Sequence, residues 1–275
     1  MINLKISHYK LALWILAFVI TISSAVYQRL TGPTYPKRGH IQFINNRISY
    51  KLIRSQNVNT DIPIALTVPD SSISGYVSFK RYKSNDDWST LPLRREQAKL
   101  VGAIPHRNQA PAGKLMYYVY LTRGDQKVSL TGEEPIVLRF KGPVPAWVLL
   151  PHVLIMFLAM LFSNRAGLEA LDARGSAYKY LRWTIGLFFI GGFILGPLVQ
   201  KYAFGALWTG WPFGQDLTDN KTLIAMLGWL LAWYKNRRGR EGRGWIIFAA
   251  FLMLAAYLIP HSMFGSEIDY SKLGE

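Results

Sequence analysis

Hydrophobic and polar positions follow two different periods along this chain. Between Gly39 and Lys141 the period is near two. Residues 40–43 and 48–53 flank Asn45-Asn46, which predicts a hairpin turn. Residues 62–68 alternate. So do 76–82, with Tyr76, Ser78, Lys80 and Tyr82 on one face and Val77, Phe79 and Arg81 on the other. Leu115, Tyr117, Val119 and Leu121 share one side of a further strand and form an expected core face, and 128–130 and 136–140 complete the set. Seven or eight short strands separated by Gly, Asp, Asn and Pro turns predict a β-sandwich over residues 37–142.

Elsewhere the apolar residues come in long runs. Lys5 and Lys10 precede an apolar run over 11–22, and Ser23-Ser24-Ala25 has the small-residue pattern of a cleavage site. The run is short beside the ~20 residues of a spanning helix, so residues 1–28 are expected to be a signal-anchor or a cleaved signal peptide. Residues 29–36 and Pro143-Val-Pro145 are linkers. A transmembrane bundle is expected over 145–262, with segments at about 146–163, 183–200, 217–235 and 244–261, followed by an outer tail, 263–275. The stretch 168–173 is amphipathic and is expected to lie along the membrane. Gly186, Gly191, Gly192 and Gly196 in the third segment would let helices approach closely, and Pro197 would kink it. The expected class is membrane α+β: an exported all-β immunoglobulin-like sandwich, a four-helix transmembrane bundle and an N-terminal signal-anchor.

Charge adds orientation. The net charge of +16 would suit nucleic acid, but its position argues otherwise, since eleven of the 32 Lys and Arg flank apolar runs. They are Lys5 and Lys10; Arg165, Arg174, Lys179 and Arg182; and Lys235, Arg237, Arg238, Arg240 and Arg243. This is the positive-inside pattern, and it directs the sandwich, the 200–221 loop and the tail to the outer side. The expected location is a bacterial cytoplasmic (inner) membrane, crossed several times. In the sandwich block Lys and Arg outnumber Asp and Glu about two to one, as expected of solvated strand faces near anionic lipid or of an acidic partner such as a lipid headgroup or an anionic glycan. There is no cysteine, which excludes disulfides, thiolate catalysis, Cys-ligated zinc and iron–sulfur clusters. The run 112–121, Ala-Gly-Lys-Leu-Met-Tyr-Tyr-Val-Tyr-Leu, resembles a late strand of immunoglobulin-like or fibronectin-III-like modules. That resemblance implies a fold and no activity.

Candidate chemistry gathers on the outer side. The loop from Trp208 to Lys221 packs two Trp, two Gly, one Pro and two Asp between apolar segments. Trp208, Trp211, Asp216, Asp219 and Lys221 are candidate ligand-binding residues. The structural alternative is an aromatic belt, a tight turn over 210–214, and Asp219 or Asp216 capping the next helix. His152, about 9 Å into the second segment, and His261, at the end of the last, would lie at the same face. Two imidazoles with a carboxylate suit a zinc- or iron-like metal, and two His on separate helices suit a b-type haem. Each His also follows a proline, so each has a structural role open to it as a donor to a freed backbone carbonyl. No hydrolase elbow, phosphate loop or internal repeat is present, and Asp and Glu are absent from the apolar runs.

The expected function is an integral membrane accessory or scaffold protein whose sandwich binds a partner or envelope component and which needs no cofactor. The alternative is a membrane redox or metal-dependent enzyme using His152, His261 and Asp216. The expected partners are the lipid bilayer and other membrane or envelope proteins, with no nucleic acid.

Overall fold

The computed structural model describes residues 2–106, 109–172, 175–237, 242–261 and 268–272, with side chains from residue 8 onward. The class is mixed α and β. The chain divides into two compact units, a helical one (Met1–Pro33 and Val144–Ser266) and a β one (Thr34–Pro143 and Glu267–Glu275).

In the β unit, β1 (Lys37–Phe43) and β2 (Asn46–Leu52) form a hairpin. Its turn is Ile44-Asn45, one residue earlier than the Asn45-Asn46 of the sequence reading, and both residues have positive φ. The Asn46 side-chain amide closes the turn by donating to the Ile44 carbonyl at 2.9 Å. Residues Ser55–Asn57 (β3), Ile62–Thr67 (β4), Ser74–Arg81 (β5), Ser89–Pro92 (β6), Arg94–Glu96 (β7) and Lys99–Ile104 (β8) follow. Lys114–Arg123 (β9), Gln126–Ser129 (β10) and Ile136–Lys141 (β11) complete the unit. A six-stranded sheet runs β3-β11-β9-β5-β6, with β10 also on β9, and a three-stranded sheet runs β4-β8-β7. The pairing is antiparallel except between β3 and β11.

Ile48 and Leu52 of the hairpin, Ile62, Ile64 and Leu66 of β4, and Val77 and Phe79 of β5 enter one hydrophobic core. The expected core face of β9 is buried there in full: Leu115, Tyr117, Val119 and Leu121 are at most 2% exposed. Tyr117 brings a polar atom into this core and satisfies it by donating to the Ile53 carbonyl at 2.8 Å. Burial pushes its phenol above the usual range.

The helical unit differs from its expected plan. The first helix, α1, runs Ile2–Thr31, well beyond the apolar run at 11–22. The second, α2, is continuous over Ala146–Leu171. Residues 164–171 therefore continue α2 and do not form a separate surface helix, because Asn164, Arg165 and Glu169 are buried in the unit rather than facing water. The third segment is built from α3 (Ala177–Phe189), a π-helical turn (Ile190–Leu195) and α4 (Gly196–Phe204). The irregularity at Pro197 is thus a π-bulge on its N-terminal side. Gly191 and Gly192 are close-approach positions, since a Cβ at Gly191 would meet Met156 Sδ at 2.8 Å. Gly186 is not, having nothing within 4 Å of such an atom. The fifth and sixth helices are α5 (Leu217–Asn236) and α6 (Arg243–Leu258).

Three of these stretches are long and apolar enough to cross a membrane: His8–Thr31, Ala146–Leu171 and Ala177–Phe204, with mean hydropathies of 1.9, 2.1 and 1.6. The apolar helix α6 is shorter. Residues of the expected outer tail form a 3-10 turn, Tyr270–Lys272, that belongs to the β unit.

Candidate functional site in the helical unit

Between α4 and α5 the chain turns through the Trp208–Lys221 loop. Gly205, at φ 87, ends α4 in the left-handed region that glycine tolerates. The loop backbone folds round Gly210, whose carbonyl accepts from both Phe213 and Gly214 at 2.9 Å, giving the expected tight turn. The Trp211-Pro212 bond is cis.

Of the two aspartates offered as caps, Asp216 takes that role and Asp219 does not. Asp216 is the N-cap of α5, its Oδ1 accepting from the Thr218 amide at 2.8 Å. Asp219 sits one turn further on, buried, and turns back to the loop. Its Oδ2 accepts from the Thr209 amide at 2.6 Å, the Gly210 amide at 3.0 Å and the Gln200 side chain at 3.1 Å. Asn220 Oδ1 takes the Trp211 amide at 2.6 Å. One carboxylate and one amide thus replace the water that an irregular buried backbone segment would otherwise need. Gly210 is required for this approach, since a Cβ there would lie 2.5 Å from Asp219 Cβ. Trp208 donates from Nε1 to the Trp211 carbonyl at 3.1 Å and stacks on Phe193, 5.8 Å between centroids. Trp211 and Phe213 are 68% and 83% exposed. The loop therefore organises itself internally and projects two aromatic rings outward, the geometry of an interfacial anchor.

Lys221 is 7% exposed, and its Nζ donates to the carbonyl of Ile259, the C-cap residue of α6. A lysine there meets the negative end of the helix. His152 Nδ1 lies 3.0 Å from the carbonyl of Gly191, the first glycine of the π-helical turn, across the α2–α3 contact. His261 is exposed by accessible area, lies within electrostatic reach of Lys221, His152 and Asp216, and lines a cavity of about 30 Å³ with Lys221, Thr222 and Tyr257. The two membrane histidines and Lys221 are thus neighbours. Among the described residues, no three His, Asp or Glu side chains gather within reach of one metal ion.

A second polar cluster was missed because Arg165 was read as a topological charge and Glu169 as part of a surface helix. Arg165 is completely buried, and its Nη1 lies 2.6 Å from Glu169 Oε2, one turn on in α2. That contact lies off the N–H direction, so it is an ion pair rather than a directed hydrogen bond, and among the described residues no guanidinium nitrogen has a hydrogen-bond partner. The faces of Tyr180 and Trp14 lie 4.6 and 5.5 Å from the guanidinium carbon. Glu169 Oε1 accepts from the Ser176 amide at 3.0 Å, and Asn164 donates to Thr21 Oγ1 at 2.9 Å. Carboxylates are therefore buried in the helical unit, at Glu169 and Asp219, although none lies in an apolar run. The available signal was spacing: Arg165 and Glu169 are four apart on one helix face.

The β unit holds the larger cavity, a cleft of about 360 Å³ lined by Lys80, Arg81, Asp86, Asp87, Ser89 and Gln109 together with Tyr270. Arg81 holds Asp86 through two 2.7 Å contacts, which keep the Asp86 carboxyl below the usual range. Tyr270 lies under Arg81, 4.7 Å from the guanidinium carbon to the ring centroid, and donates to Gln109 Oε1 at 2.8 Å. No sequence reading singled out these residues, because they come from strands, a loop and the C-terminal segment. No protein-family model, curated protein or solved structure matches this chain significantly.

Proposed function

We propose that this chain is an integral membrane accessory protein whose β unit, an immunoglobulin-like sandwich on the outer side of a bacterial cytoplasmic membrane, recognises a partner or an envelope component. The observation that carries the reading is the 360 Å³ cleft of the β unit, a size typical of ligand sites. It is lined by charges of both signs and by a nearly buried amide, Gln109, and so suits a polar segment of another envelope protein.

Two observations support the orientation. Lys and Arg crowd the α2–α3 and α5–α6 connections. The chain also leaves the β unit at Pro143 and returns to it by residue 268, which requires an even number of crossings in between. Four segments, α2, α3 to α4, α5 and α6, satisfy that, with α1 as the entering anchor.

The test is a photoreactive residue in place of Ala110, an exposed residue of the cleft, in intact cells. A discrete adduct from position 110 and none from Thr67, on another sheet, is the expected result. Equal labelling from both positions, or none from either, removes the reading.

A second reading, a redox or metal-dependent enzyme at the outer face, is favoured by one observation: His261 has His152 and Asp216 within electrostatic reach. A Soret band or stoichiometric metal in the purified chain, lost in His152→Ala, is its signature.

A further inference from the structure

We propose that Lys221 and His261 form the polar end of a site for a phosphate-bearing amphiphile on the helical unit, independent of what the β unit recognises. Lys221 is a buried cation that has no carboxylate within 4 Å among the described residues. An ammonium carries three donors. One goes to the Ile259 carbonyl, and the helix end there accounts for that one alone.

The charges that face it are Asp216 and His261, and His261 in turn faces His152. Asp216 spends one oxygen on the Thr218 amide, and Asp219, further round α5, spends its Oδ2 on the loop backbone. Lys221 lines the cavity of about 30 Å³, which is close to one water and hence to one oxygen of an anionic group. Besides Lys221, it is lined by the polar residues Thr222 and His261 and by the apolar residues Met156, Phe188 and Met253. A polar end that fits one anionic oxygen, continuous with an apolar wall in a unit whose surface faces lipid, matches the two halves of a phospholipid. A free phosphate shares the headgroup chemistry but leaves the wall unused.

The full chain, purified in neutral detergent, would be mixed with equal amounts of phosphatidylglycerol and phosphatidylcholine and analysed by native mass spectrometry. Phosphatidylglycerol should be retained about fivefold more than phosphatidylcholine, a preference lost in Lys221→Met and kept in Lys221→Arg. Competition by millimolar inorganic phosphate would identify a headgroup site alone, and its absence a site for the whole amphiphile; either supports phosphate on Lys221. Equal retention of the two lipids by the unaltered chain overturns the proposal, whatever the fate of the variants. So does an undiminished preference in Lys221→Met or, should that variant not be recovered folded, in His261→Gln.

Discussion

In the β unit the buried residues are large, branched or aromatic, among them Ile48, Leu66, Phe79, Leu100, Tyr117 and Phe140. In the helical unit eight of the fifteen residues of the buried cluster are alanine, with Met160, Met226 and Met253 filling between them. The exposed surfaces are reversed. Trp88 is the one exposed large hydrophobic residue of the described β unit, while Trp147, Leu150 and Phe251 of the helices are 69%, 67% and 68% exposed. A unit in water gains by hiding its bulkiest apolar groups. A unit in hydrocarbon gains nothing that way and packs by bringing small residues and backbones together. The difference fits a β unit suited to water and a helical unit suited to a bilayer, in keeping with its three helices long and apolar enough to cross one. It also locates a costly interaction: the helical unit buries the ion pair of Arg165 and Glu169 in its core.

The largest expected effect follows from that point. Glu169→Gln leaves the Arg165 guanidinium without its counter-charge in a site with no solvent. It should destabilise the helical unit by about 3–5 kcal/mol, read by detergent-titrated unfolding of the full chain. Replacing both residues, Arg165→Met with Glu169→Leu, should recover most of that loss. A loss below about 1 kcal/mol for Glu169→Gln would mean that Trp14 and Tyr180 already hold the cation adequately.

Next come paired truncations that should behave differently in the two units. Leu66→Ala in the β core should cost about 2–5 kcal/mol. Phe251→Ala, on the exposed side of α6, should stay within about 0.5 kcal/mol. Overfilling the alanine seam with Ala249→Leu should cost about 1–3 kcal/mol. If Phe251→Ala were as damaging as Leu66→Ala, α6 would be packed against protein on that face.

Much of this plan is legible in the sequence, and the failures have physical causes. The β9 core face and the hairpin follow from period-two alternation, because one face of each strand enters the core and the other meets solvent. The strands β3, β6 and β7 are three or four residues of mostly polar side chains at sheet positions too short to show a period. The extension of α2 past Phe162 was hidden because Arg165 and Glu169 look like surface residues until their i,i+4 pairing and the rings of Trp14 and Tyr180 are seen. The cap of α5 is local, so the sequence narrowed it to Asp216 or Asp219, whereas the amides held by Asp219 lie nine and ten residues upstream and left no local signal. The cleft of the β unit was illegible because Tyr270 reaches Gln109 across 161 residues of chain.

A smaller effect is expected at Asp219. Asp219→Ala removes the acceptor for two loop amides and a glutamine side chain, and should cost about 1.5–3 kcal/mol. It should also loosen Trp208 and Trp211, seen as increased quenching of their fluorescence by added acrylamide. Asp216→Ala, losing the cap on the Thr218 amide, should cost about 1 kcal/mol or more and leave the quenching unchanged. Equal quenching in the two variants would show that the loop does not depend on the buried carboxylate.

The smallest effect lies in the β-unit cleft and depends on pH. Hydrogen bonds and charge from Arg81 hold the Asp86 carboxyl below the usual range. A depressed carboxyl contributes stability above its unfolded value, about 3.9, and loses it as pH falls through the lower folded value. The pair is 43% and 31% exposed, so screening limits the gain to less than about 1 kcal/mol. The consequence to look for is therefore positional rather than global. Asp86 holds the guanidinium that lies over Tyr270, so acidification below about pH 4 should free the C-terminal segment before the sheets unfold. Cleavage after Tyr270 by an acid-active protease should rise as pH drops from 5 to about 3, and Asp86→Asn should show the raised rate already at pH 5. A rate in Asp86→Asn that matches the unaltered chain at both pH values would assign the docking of Tyr270 to Gln109 alone.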